Sequence, residues 1–104
     1  MRNPAAGDLV RCVDRLSGNE IDRFRRWSKK GIFDAAKAAG IPLSVPRKDV
    51  IYLVLDDICL EMIRFIHDGH RSDLLGVRFV TCHSPETGRV VLSSGYLEII
   101  SEAG

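Results

Sequence analysis

Between Arg47 and Asp68 the chain carries Ile51, Val54, Leu55, Ile58, Cys59, Met62, Ile63, Phe65 and Ile66 in one stretch without an internal glycine or proline. An apolar density of this kind has to leave water. At about 100° per residue these side chains cover roughly half a helical circumference, wider than a one-sided stripe. The spacing predicts one long central helix over 47–68, sandwiched between other helices and a sheet. Pro46 suits its first turn and Asp49 its positive end, and Gly69 is the natural residue past its last turn, where His67 lies. The opposite arc holds Asp49, Asp56, Asp57, Glu61, Arg64 and Asp68. Within it Leu53, Leu60 and His67 recur at intervals of seven, so Leu53 and Leu60 are candidates for a self-association seam, the alternative being two solitary surface leucines.

The flanking segments read as short elements. Residues 1–7 form a flexible N-terminus and 8–104 a single compact domain, since the connection 41–46 is too short for an interdomain linker. Asp8 caps a first short helix with Leu9, Cys12, Val13 and Leu16 on one face. Asn19 caps a second, Glu20 to Lys30, whose Ile21, Phe24 and Trp27 face the core. Ile32 to Ala39 is a third, alanine-rich helix ending at Gly40. After Gly69, the strands Val77 to His83 and Arg89 to Ser93 flank a turn in which Gly88 supplies a positive φ. Tyr96 to Ser101 returns as a third strand. The expected fold is α+β: a helical N-terminal half with one long central helix, followed by a small three-stranded antiparallel β-meander.

The net charge of +1 conceals a division. Residues 1–48 hold eleven Lys and Arg against five Asp and Glu, and residues 49–104 hold four against nine. Such asymmetry marks an anion-binding face, or two faces that bind each other within one chain or between copies. The cations concentrate on the second helix, at Arg23, Arg25, Arg26, Lys29 and Lys30, where arginine suits bidentate carboxylate or phosphate contacts. The three cysteines form no CxxC pair and read as small core residues of a reducing, intracellular protein, cytoplasmic or nuclear. No signal peptide or spanning helix is expected.

Ala35-Ala36-Lys37-Ala38-Ala39-Gly40-Ile41, followed by Pro46-Arg47-Lys48 at the start of the next helix, resembles the first helix and turn of a helix-turn-helix. With the downstream hairpin the region 8–93 is similar to a winged helix. The resemblance implies a DNA-binding transcriptional regulator with Arg47 and Lys48 at the groove and residues near Glu86 to Arg89 as the wing. Other chemistry has fewer supports. His67, His70, Cys82 and His83 are ligand types for zinc, but a strand's rise carries its ends apart and residues 82 and 83 point to opposite faces. His67-Asp68 resembles the doublet of metal-dependent HD phosphohydrolases, a fold that draws further ligands from several helices. No nucleophile elbow, phosphate loop or dinucleotide fingerprint is present. The expectation is therefore a small non-enzymatic binding or regulatory module without cofactor, metal or membrane partner. It would self-associate through Leu53 and Leu60 and engage an acidic protein surface or nucleic acid through the basic helix.

Overall fold

The structure, a computed structural model, describes residues 2–103. Met1, where the expected flexible end begins, and Gly104, where the expected domain ends, lie outside the described residues. The chain forms β1 (Leu9–Cys12), α1 (Gly18–Lys29), α2 (Ile32–Ala38), β2 (Ile51–Asp56), α3 (Leu60–Asp68), β3 (Phe79–Ser84), β4 (Gly88–Ser93) and β5 (Leu97–Ser101), with 3-10 turns at Ser72–Leu74 and Ser94–Tyr96. The class is α+β, but three expectations are corrected.

The long central helix does not form. Its first half is β2, in which Tyr52 and Val54 are buried while Ile51, Leu53 and Leu55 are exposed. Five consecutive apolar residues erase the polar alternation that marks a strand, and such a run satisfies helical and extended patterns alike. The aromatic and β-branched content favours the extended chain. Only after Cys59, itself extended at φ −93° and ψ 101°, does α3 begin. Pro46 consequently opens no helix, and Asp49 lies in a turn ahead of β2. The first expected helix is instead β1, which buries Val10 and Cys12 and exposes Leu9 and Arg11.

The third correction concerns the meander. The β3–β4 hairpin is present, with Gly88 at φ +70°. The last strand, however, pairs with β1 and not with β4, so the sheet has five antiparallel strands in the order β4-β3-β2-β1-β5. Its two edge strands are joined by only the three residues Ser94–Tyr96. Four Cα steps reach at most about 14 Å, whereas the edges of a flat five-stranded sheet stand about 19 Å apart. The sheet must therefore curl on itself. The burial agrees: Val10, Tyr52, Val54, Val80, Cys82, Val90, Leu92 and Leu97 form one buried cluster with no helical member. That face is buried by the curvature of the sheet.

The helices cover the outside at β3 and β4. Trp27 of α1, Ile32 and Ala36 of α2, and Met62 and Ile66 of α3 share a second cluster with Phe79, Val91 and Tyr96. Segment 42–44 covers the free edge of β4, since the Val91 N–H donates to the Pro42 carbonyl (2.9 Å) and the Ser44 N–H to the Val91 carbonyl (3.0 Å). The termini are drawn together by Asp8, which is fully buried. Its carboxylate accepts from the N–H groups of Ala5 (2.8 Å) and Ala103 (2.9 Å) and pairs with Arg2 (3.0 Å). These donors, that of Ala5 foremost, hold its carboxyl down at about 2. Among the described residues no helix is long and apolar enough to cross a membrane.

Candidate partner-binding surface

The basic helix forms close to where the sequence places it. Its N-cap is Ser17 and not Asn19: the Ser17 hydroxyl accepts from the Glu20 N–H at 3.2 Å. Gly31, at φ +69°, separates it from α2. Trp27 anchors the helix, its ring 5.8 Å from that of Phe79 and 6.5 Å from that of Phe33. The first turn rests on the β4–β5 corner, where a Cβ at Gly95 would meet the Glu20 carboxylate at 2.6 Å. Beneath it the Tyr96 hydroxyl is pushed up to about 12, chiefly by burial, with the Glu20 charge adding to the shift.

The expected inward direction of Ile21 and Phe24 is only half met. They are 39% and 38% exposed and stand on the flank of α1, Phe24 against Phe33 at a ring separation of 5.7 Å. Advancing 100° per residue from Trp27, the exposed arc runs through Phe24, Ile21, Arg25 and Lys29 to Asp22 and Arg26. Two of the five cations are engaged within the chain: Arg23 with Glu20 at 2.9 Å and Lys30 with Asp73 at 3.3 Å. Arg25, Arg26 and Lys29 are exposed and, among the described residues, have no ion pair.

The remaining sequence candidates are dispersed. Arg47 and Lys48 precede β2 in a loop and turn; Arg47 pairs with Asp49 at 3.5 Å and its N–H donates to the Tyr52 hydroxyl at 3.0 Å. The second helix of the winged-helix resemblance is thus absent, and its hairpin belongs to the five-stranded sheet. Leu53 lies on the outer face of β2 and Leu60 is the first residue of α3, so no helical seam joins them, although both are exposed. His67 and His70 sit at the end of α3, Cys82 lies inside the curled sheet, and His83 points outward opposite Leu53 and Arg89. Burial pushes the Cys82 thiol up to about 12, which disfavours the thiolate a metal needs. Among the described residues no three His, Cys, Asp or Glu side chains are grouped to hold a metal.

Sequence reasoning missed an apolar groove between α3 and residues 72–77, about 500 Å³ in volume and lined by Ile63, Ile66, Leu74, Leu75 and Val77. The available signal was Leu74-Leu75-Gly76-Val77, a short apolar run around a glycine after the polar residues 70–73. Compared with known protein families, curated proteins and solved structures, the chain matches none.

Proposed function

We propose that this chain is a non-enzymatic binding module whose α1 engages an acidic protein surface. The supporting observation is the composition of the outer arc of α1, where Arg25, Arg26 and Lys29 form no ion pair among the described residues and adjoin the half-exposed Ile21 and Phe24. Desolvated apolar area supplies affinity at such a surface, and the guanidinium groups select carboxylates and fix orientation. A phosphodiester track is a poorer complement, because Asp22 lies among the three cations and repels phosphate. Trp27, buried against Phe79 and Phe33, fixes the position of the helix, and a preformed surface loses less entropy on binding.

The test is a fluorescence-anisotropy titration of the full chain with a labelled peptide containing interspersed glutamate and leucine, beside single-stranded and duplex DNA oligonucleotides. The peptide is expected to bind, more weakly as salt rises. Arg25→Glu/Arg26→Glu/Lys29→Glu is expected to lower its affinity by about tenfold or more, a loss of roughly 1.4 kcal/mol. Preferential binding of the oligonucleotides, or an unchanged peptide affinity in the variant, would overturn the reading.

A further inference from the structure

The groove between α3 and residues 72–77 has a wall held by the chain's own contacts. Leu74, fully buried, anchors the segment in the helix-covered cluster. Its N–H donates to the Arg71 carbonyl (3.1 Å), and the Arg71 N–H donates to the Ile66 carbonyl (3.0 Å). At about 500 Å³ the groove falls in the size range of small-molecule sites. Its apolar lining is branched and aliphatic: Ile63, Ile66, Leu74, Leu75 and Val77. Ile63 and Leu75 are 51% and 69% exposed, so a guest lying against them takes apolar area out of water.

The polar side chains that line the groove come from one short stretch, His67, His70, Arg71 and Ser72; all can donate a hydrogen bond and none is acidic. Arg71 forms no ion pair among the described residues, and its Nε is buried without a hydrogen-bond partner. Its side chain is nonetheless held in place. The guanidinium lies over the Phe65 ring at 4.3 Å, and a Cβ at Gly69 would meet Nε at 2.8 Å. Arg71 also borders an adjoining hollow that Glu61 and Asp68 line. Glu61 is paired with Arg89, Asp68 lies 3.6 Å from His67, and neither lines the groove. The carbonyls of Phe65, Ile66 and His67 that end α3 are taken by the N–H groups of Gly69, Arg71 and His70.

We propose that this groove binds an aliphatic monocarboxylate, its chain along Ile63, Ile66, Leu75 and Val77 and its carboxylate at Arg71. One guanidinium without an ion pair matches one negative charge, and its donors suit a carboxylate in particular. A sugar, nucleotide or peptide carries polar groups along its whole length, and the aliphatic side chains of the wall give these no hydrogen bonds. An uncharged or cationic amphiphile leaves Arg71 unanswered. Arg25, Arg26 and Lys29 do not line the groove, so the site stands or falls independently of the α1 reading.

Isothermal titration calorimetry of the full chain with decanoate, decanol and decyltrimethylammonium, each below the concentration at which it aggregates, tests this. Decanoate is expected to bind saturably, decanol more weakly and decyltrimethylammonium not at all. Arg71→Met keeps an apolar stem against Gly69 and Phe65; it should lower decanoate affinity by about tenfold or more, as for loss of a hydrogen bond to a charged group, and leave decanol unchanged. Leu75→Glu, at an exposed position, should keep the wild-type thermal melt and abolish decanoate binding, which decides the matter should Arg71→Met fail to fold. Asp68→Asn, which removes an anion of the adjoining hollow, should tighten decanoate. The absence of saturable decanoate binding would refute the proposal, as would equal binding of decanoate and decanol. So would loss of decanoate binding in Arg25→Glu/Arg26→Glu/Lys29→Glu, which would place the anion on α1. Displacement of decanoate by the glutamate-leucine peptide, or by association of copies at high protein concentration, would give the groove to a protein surface and refute it too.

Discussion

Asp8 shows how one residue ties sequence ends to fold. Its carboxylate gathers the backbone N–H groups of Ala5 and Ala103 together with the Arg2 guanidinium, joining the residues before β1 to those after β5. Its carboxyl is held at about 2, against 3.8 for the ordinary group. Because the folded value is the lower one, this contribution is complete above the unfolded pKa and is lost as the pH falls through about 2. Thermal melts between pH 5 and pH 2, roughly spanning that window, should show a steeper acid limb for the wild type than for Asp8→Asn. The variant should also be less stable at neutral pH; parallel limbs for the two proteins would remove Asp8 from this role. Read from sequence, Asp8 is merely a plausible helix cap, because its partners near residue 103 are set by topology. Single residues were legible where local geometry decides: Gly88 at its positive φ, Trp27 in the core, three cysteines buried. Ile21 and Phe24 were not, since helical spacing gives an arc and not the width of what packs against it.

At the scale of elements, α1, α2 and the β3–β4 hairpin form within a few residues of their expected bounds, because caps, glycines and turn chemistry are local signals. β2 and α3 were merged into one helix, and the two readings of residues 51–56 differ in a measurable way. A helix buries Leu55 and leaves Tyr52 off its apolar arc; the strand leaves Leu55 41% exposed and Tyr52 1%. Urea unfolding should accordingly show Tyr52→Ala costing about 3–5 kcal/mol, as for other buried aromatic truncations. Leu55→Ala should cost under about 1 kcal/mol, in keeping with a partly exposed site. The reverse order would restore the helix. The basic face of α1 was the most legible part of the candidate site, since charge and spacing both lie in the sequence. Which cations are already spent, Arg23 on Glu20 and Lys30 on Asp73, depends in the second case on a residue 43 positions away.

For the whole molecule the decisive event is the return of β5 to β1, which joins residues separated by most of the chain and which no local pattern announces. It adds the fifth strand to the curled sheet and accounts for the charge asymmetry in part. Arg2–Glu102, Arg11–Glu98 and Lys30–Asp73 all join the basic half to the acidic half. The division seen along the sequence is thus partly neutralised within the fold, while Arg25, Arg26 and Lys29 of α1 form no ion pair among the described residues. The most direct test of the account is ¹⁵N chemical-shift mapping of the full chain as the glutamate-leucine peptide is added at low salt. The account predicts the largest perturbations at Ile21, Phe24, Arg25, Arg26 and Lys29, fading as salt is raised. Perturbations centred on Ile51, Leu53 and Leu55 of the exposed sheet face, with α1 unmoved, would contradict it.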